Sequence, residues 1–242
     1  MKLNSAYPVA ALRGYVRCFR QREAQITGAA LLYPIAARPE QILEFYLQDR
    51  YLVRACGSGV QDFAPRALVV GPCTYRRAEL VLRGRFEVFT IHFQPSGFHR
   101  LFRVPMPELV DHAYEARSVV GPFASAIEQP LAATADFAER IDIATHFLLQ
   151  HVTAPNARDP VAAAAQQILI DRRAHRIGDI AASAGLSLRR FERKFRDQVG
   201  VAPKRYAAIV RFQTALRAKL AARHRSWTDI APIPPRISVA SL

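Results

Sequence analysis

The chain has 242 residues, half of them apolar and 10% aromatic, and a formal net charge of +14. This composition excludes a wholly disordered chain, because the apolar content can build one large core or two smaller ones. The charge is concentrated: residues 171–225 hold 15 Lys and Arg against 4 Asp and Glu, whereas residues 1–170 hold 18 against 15. A segment of net charge +11 favours a polyanionic partner, most often nucleic acid, with a solvated basic surface as the alternative.

The cysteines and the apolar runs indicate the cellular compartment in which the protein is expected. Cys18, Cys56 and Cys73 form no CxxC pair, which argues against a disulfide framework or a thiolate metal site and indicates a reducing cytoplasm. Arg13 and Arg17 interrupt any apolar run near the N-terminus, and no apolar stretch reaches 18 residues. We therefore expect a soluble, cytoplasmic protein with no signal peptide and no membrane partner.

The first 110 residues predict mainly strands. The exception is a helix over 7–23, with Leu12, Val16 and Phe19 on one face. Segments rich in β-branched and aromatic residues predict strands over 41–47, 66–71 and 86–93, with turns at Gly57, Gly59, Gly71, Pro72 and Gly84.

Helical patterns follow, first over 121–132 and 135–151. The second of these has Phe137, Ile141, Ala144 and Leu148 as its buried stripe. "TAPNARDP" (153–160) is typical of a linker, and the pattern beyond it is helical as far as Pro232. The predicted fold class is α+β: a β-rich N-terminal domain with helices (1–152), the linker, and an all-α domain (161–242).

The most informative segment is "IGDIAASAGLSLRRFERKFRDQVG", residues 177–200. It predicts a short helix, a turn at Gly185 and a second helix over 188–198 with Ser187 as its N-cap. Leu188, Phe191 and Phe195 fall on the side that would face the core. The short helix, the glycine turn and the second helix together predict a helix-turn-helix. The alternative interpretation is an ordinary helical hairpin with a solvated basic face.

The opposite face of the second helix predicts contacts with DNA. Arg189, Glu192 and Arg193 are candidates for base contacts in the major groove, where arginine donates to guanine and glutamate accepts from cytosine or orients an arginine. Candidates for backbone contacts are Ser187, Arg190, Lys194 and Arg196.

These residues resemble the AraC/XylS family of bacterial transcriptional regulators. The resemblance is carried by "IAASAGLSLRRFERKFRDQVGVAPKRY", "RFQTAL" and "SWTDIA". It implies two helix-turn-helix units joined by a long helix: residues 177–199 as the first unit, 203–222 as the connecting helix, and 226–231 as the opening of the second unit. The family pattern stops at Ala231, where "PIPPRISVASL" follows, so we expect a second unit that is truncated or frame-shifted.

Two N-terminal stretches, "YPIAARPEQILEFYL" and "RGRFEVFTIHFQPSGFHRLFRVPM", are similar to the sensor domains of some of these regulators. The resemblance implies a small β-rich domain that senses a small-molecule effector or forms a homodimer. The expected function is sequence-specific binding of double-stranded DNA by a transcriptional regulator. The alternative is an effector-binding or oligomerising remnant without specific DNA binding.

Other clusters of reactive side chains give weaker evidence for a functional site. His92, His99 and His112 lack the spacing of metal ligands. Four arginines around a predicted hairpin (Arg76, Arg77, Arg83 and Arg85) favour a solvated edge over an anion site. Phe45, Phe89, Phe93 and Phe98 favour core packing over a ligand cavity. We expect no catalytic residue, metal or cofactor, and the chain is not predicted to be an enzyme.

Overall fold

The computed structural model describes residues 2–57, 59, 61–76, 78–152, 159–171 and 176–222. The predicted helix at Ser226–Ala231, the tail after it and most of the predicted linker lie outside these ranges. The described residues form an antiparallel β domain with helices, followed by helices alone, which confirms the α+β fold class.

The strands are β1 (Lys2–Ala6), β2 (Val16–Pro34), β3 (Ile42–Tyr46), β4 (Leu52–Ala55), β5 (Gln61–Phe63), β6 (Ala67–Val70), β7 (Ala78–Phe93) and β8 (Ala113–Glu115). They form one sheet in the order β1-β2-β7-β3-β6-β8, with β4 paired to β5 and to β7. Every pairing is antiparallel.

The predicted helix over 7–23 is wrong. A single 3-10 turn, Ala10–Leu12, precedes β2, which pairs with β7 from Val16 onward. Leu12, Val16 and Phe19 are buried as predicted, but they come from a turn and a strand. A strand can bury such residues as well as a helix when a long partner strand supplies its hydrogen bonds.

The other strand predictions agree with the structure, with one difference in length. β3 and β6 fall within 41–47 and 66–71, but β7 begins at Ala78 rather than at residue 86. Gly84, predicted as a turn, lies inside β7 with φ +68°, close to a register shift between β2 and β7. The glycine therefore accommodates a bulge within a long strand.

The helices are α1 (Gly97–Phe102), α2 (Ala116–Val120), α3 (Pro122–Ala133), α4 (Phe137–Leu149), α5 (Pro160–Ile170), α6 (Ile177–Ser183), α7 (Leu188–Val199) and α8 (Pro203–Ala221). A 3-10 turn at Met106–Leu109 lies between α1 and β8. The predicted linker ends earlier than expected, because Asp159 caps α5 through Val161 N at 2.9 Å and Pro160 is its first residue.

The sheet has two unlike faces. Its helix-covered face carries Phe19, Leu43, Phe89 and Ile91, which form the main core together with residues of α1 to α4. The opposite face, called here the far face, carries a smaller apolar cluster of Tyr46, Tyr51, Ala64, Leu68, Leu82, Phe86 and Val88. A third core joins α5 to α8 and includes Phe191, Phe195 and Tyr206.

In the predicted stripe of α4, Ala144 and Leu148 are fully buried, while Phe137 and Ile141 are half-buried. Arg140, which the stripe did not include, is only 2% exposed.

Candidate nucleic-acid interface

Hydrogen bonds at the end of α6 define the turn of the helix-turn-helix. Leu186 N donates to Ala181 O at 3.0 Å, and Gly185 N donates to Ala182 O at 2.9 Å. This pair of bonds is a Schellman motif, which needs a left-handed residue after the helix. Gly185 has φ +67° and supplies it at low steric cost, so the predicted turn is confirmed.

Ser187 begins the second helix, as predicted. Its Oγ accepts a hydrogen bond from Arg190 N at 3.4 Å, and α7 runs from Leu188 to Val199. A serine hydroxyl both accepts and donates, so accepting this bond does not use the hydroxyl proton. The cap therefore fixes the orientation of the first turn of α7.

One side of α7 is the core side. Phe191, Phe195 and Val199 are fully buried, and the Phe195 ring lies 5.6 Å from that of Tyr206 in α8. Leu188, predicted to face the core, is 48% exposed. It lies in the first turn of the helix, and the contribution of α7 to the core begins only at Phe191.

The other side of α7 carries the predicted DNA contacts. Arg189, Glu192, Arg193 and Arg196 are exposed, and together with Asp197 and Pro107 they line an open groove of about 410 Å³. The structure thus brings together the three predicted base contacts and one predicted backbone contact. Ser187 and Arg190 are also exposed, Lys194 is half-buried, and none of these three lines the groove.

The β domain lies against α7, which the sequence did not predict. Pro107 belongs to the Met106–Leu109 turn, and Val110 just after it packs into the helical core. Asp197 Oδ2 lies 3.9 Å from His99 Nε2, and Gln41 Nε2 donates to Val199 O at 3.5 Å. These contacts join residues that are far apart in the chain, so no local sequence pattern predicts them.

A second set of contacts holds α8. Arg205 Nη2 donates to Thr74 O at 3.1 Å, and Arg217 Nη2 lies 3.2 Å from Glu40 Oε1. The predicted helix over 203–222 is confirmed as Pro203–Ala221. On this helix Tyr206, Ile209 and Val210 are buried, whereas Phe212 and Leu220 are exposed.

The histidines predicted as weak metal candidates form hydrogen bonds to backbone carbonyls or side chains. His99 Nδ1 lies 2.8 Å from Val104 O, and His112 Nδ1 lies 2.7 Å from Val110 O. Nowhere in the described ranges do three His, Cys, Asp or Glu side chains come together as metal ligands. Cys18, Cys56 and Cys73 are thiols and not members of a disulfide, and Cys73 Sγ donates to Tyr75 O at 2.8 Å.

The arginines of the predicted hairpin are dispersed. Arg76 forms an ion pair with Glu79, while Arg83 and Arg85 are exposed on β7, and Arg77 lies outside the described residues. Phe45, Phe89, Phe93 and Phe98 are core residues, each no more than 2% exposed. Among the described helices, none is both long and apolar enough to cross a membrane.

Residues 4–115 match the profile of a family described as a domain of unknown function (DUF6597). No curated protein sequence matches the chain. Among solved structures, an apo ToxT variant from Vibrio cholerae has a TM-score of 0.46 at 12% identity, over 88% of this chain and 86% of that one. ToxT from the same organism with a bound unsaturated fatty acid scores 0.45 at 9% identity, over 88% and 85%. The AraC-like transcriptional activator CuxR scores 0.31 at 11% identity, over 89% and 86%. The family profile covers less than half of the chain, and the structural scores mark distant similarities.

Proposed function

We propose that this chain is a transcriptional regulator that binds double-stranded DNA with α7 in the major groove. The observation that carries the proposal is the two-sided character of α7. Phe191 and Phe195 are fully buried, and the opposite side exposes Arg189, Glu192 and Arg193. A helix of about 10–12 Å diameter fits a major groove about 12 Å wide, so side chains on that face can reach base edges.

The side chains divide into two roles. Arg189 and Arg193 donate to guanine, and Glu192 accepts from cytosine or orients a neighbouring arginine. Ser187, Arg190, Lys194 and Arg196 contact phosphates and set the register of the helix on the duplex. The net charge of +11 in residues 171–225 supplies the attraction that does not depend on sequence.

The domain boundaries belong to the same proposal. Residues 1–152 form a sensor domain, and residues 161–242 form the DNA-binding domain. A cytoplasmic location follows from binding to the chromosome. The homodimer inferred from the sequence stays a prediction.

The proposal is tested by fluorescence anisotropy with the full chain and labelled duplexes. One set of duplexes tiles the DNA upstream of the gene, and the other has scrambled sequence, each measured at two salt concentrations. Arg193→Ala is expected to weaken binding to the preferred duplex by about 1–3 kcal/mol, roughly 5- to 150-fold, and to leave scrambled DNA less affected. Arg196→Ala is expected to weaken both and to lower the salt slope by about one.

Arg83→Ala is the matched control, because it removes an exposed arginine of the β domain. It is expected to leave both affinities nearly unchanged. Equal affinity for every duplex, with no difference between Arg193→Ala and Arg83→Ala, would contradict specific reading by α7. That result would favour an effector-binding or oligomerising protein that attracts DNA only through its charge.

A further inference from the structure

The far face of the sheet carries polar side chains that DNA binding does not use. Arg20 pairs with Thr90 across β2 and β7, and Thr90 pairs with Glu44 across β7 and β3. Side chains at paired positions leave an antiparallel sheet on the same side. Arg22 and His92, two residues along their strands, therefore share this face.

His92 is buried on this face, beside Thr90 and within the electrostatic influence of several arginines. His92 is only 6% exposed, and its ring Nε2 lies 3.1 Å from Thr90 Oγ1. Burial holds the pKa of His92 well below its usual value, and the positive charges of Arg20, Arg22, Arg38 and Arg17 lower it further. Four guanidinium groups from β2 and the segment before β3 thus act on one buried imidazole.

Of these four arginines, Arg17 forms an ion pair. Arg17 Nη1 lies 3.3 Å from Glu40 Oε1. Within the described part of the chain, the other three, here called the arginine cluster (Arg20, Arg22 and Arg38), form no ion pair. The Nε atoms of Arg22 and Arg38 are buried without a hydrogen-bond acceptor.

The carboxylate of Glu44 lies on this face, but it does not balance the positive charge of the arginine cluster. Glu44 is 5% exposed and accepts a hydrogen bond from the Tyr46 hydroxyl. Counting the arginine cluster as +3 and Glu44 as −1 leaves +2 on a surface that also holds the neutral His92. Half-buried cations without partners are unfavourable because they lose hydration. A bound anion that accepts their hydrogen bonds offsets this cost of desolvation.

We propose that the arginine cluster binds a small oxyanion with at least two negative charges on the far face of the sheet. Guanidinium groups present paired N–H donors that match the oxygens of phosphate and carboxylate groups. Tyr46 lies in the same row across the sheet as Arg22, since both pair with Val88, and the Tyr51 ring packs 4.6 Å from that of Tyr46. The inference does not depend on DNA binding by α7.

The test is isothermal titration calorimetry of the full chain, without DNA, in a buffer of constant ionic strength. The probes are inorganic phosphate, succinate and citrate, with chloride as the reference ion. Arg22→Gln and Arg38→Gln are each expected to weaken binding at least tenfold. Arg83→Gln, which removes an exposed arginine elsewhere on the sheet, is expected to stay within twofold of the parent protein.

Folding of the variants is checked by their melting temperatures without anion. Each Gln substitution removes a charge that is crowded by like charges, so the melting temperature is expected to stay the same or rise. Arg38→Lys is a second variant that keeps the charge and loses the paired donors, and it is expected to bind more weakly than the parent protein.

Binding of phosphate alone or of the carboxylates alone would support the site and identify the charged group of its ligand. Binding of all probes no stronger than chloride would overturn the proposal. So would equal affinities for the Arg22→Gln, Arg38→Gln and Arg83→Gln proteins.

Discussion

A buried ion pair joins α4 to the sheet, and its removal is expected to destabilise the β domain strongly. The Arg140 and Glu87 side chains are 3% and 9% exposed, and Arg140 Nη1 donates to Glu87 Oε1. Arg140 also donates through Nε to Leu131 O at 3.1 Å and through Nη2 to Thr134 O. One side chain thus links β7, the end of α3 and the loop before α4.

The expected magnitude follows from what each substitution leaves behind. Arg140→Met leaves the Glu87 carboxylate buried without its cation, and among the described residues its remaining hydrogen-bond donors are Gln21 Nε2 and Gln48 Nε2 at 3.4 Å each. Breaking one side of a buried pair costs about 3–5 kcal/mol. Replacing both members, in Glu87→Leu with Arg140→Met, removes the uncompensated charge. It still leaves the carbonyls of Leu131 and Thr134 without their donor, which costs about 1–3 kcal/mol.

The assay is urea denaturation of the parent protein, both single variants and the double variant, followed by circular dichroism. The double variant is expected to be more stable than Arg140→Met alone. Arg76→Met serves as control, because it breaks an ion pair with Glu79 at an exposed arginine and should have a much smaller effect. If the double variant loses as much stability as the two single variants added together, the pair does not act as a buried charge pair.

Three further predictions concern single positions. Gly97→Ala is expected to destabilise the protein by about 1–3 kcal/mol or more in urea denaturation, because its Cβ would lie 2.0 Å from Tyr15 O. Ser187→Ala is expected to lower the free energy of unfolding by about 0.5–1 kcal/mol, because it removes the cap of α7. Ser187→Asp is expected to retain most of that stability, because aspartate is also a good N-cap residue. If both substitutions destabilise the protein equally, the Ser187 side chain does not act as a cap. Because the pKa of His92 is lowered in the folded state, the unfolded chain binds more protons below pH 6.5. The free energy of unfolding should therefore fall with decreasing pH by up to about 1.4 kcal/mol per unit from this residue, a slope that His92→Gln should reduce.

The helix-turn-helix could be predicted because its signals are local. Gly185 sets the turn, Ser187 caps the next helix, and the 3.6-residue period of α7 separates Phe191 and Phe195 from the charged face. Each of these signals acts within a few residues, so distant parts of the chain do not override it. The four arginine and glutamate side chains on the outer face follow from the same periodicity.

The fold of residues 7–34 could not be predicted in this way. Val16 and Phe19 are three residues apart, which fits a helical face, and in β2 both reach the main core because of the register shift between Val16 and Cys18. The alternation after Phe19 is hidden because polar residues, Gln21 and Glu23, occupy the next positions on the helix-covered face. The structure is decided by pairing with β7, whose partner residues lie far along the chain, from Phe93 opposite Val16 to Glu79 opposite Pro34. For the same reason the arginine cluster was not expected, since Arg38 is distant in sequence from Arg20 and Arg22 and only the folded sheet places them near His92.

The two sites are linked by short contacts between the sheet and the helical domain. Arg17, next to the arginine cluster on β2, shares Glu40 with Arg217 of α8 at 3.3 and 3.2 Å. Gln41, which follows Glu40 and precedes β3, donates to Val199 O at the end of α7. The segment before β3 therefore contacts α7 and α8 and also carries Arg38. If an anion binds to the arginine cluster, we expect it to change the position of this segment, and urea denaturation of the parent protein with and without phosphate would show whether the contacts to α7 and α8 are stabilised with it.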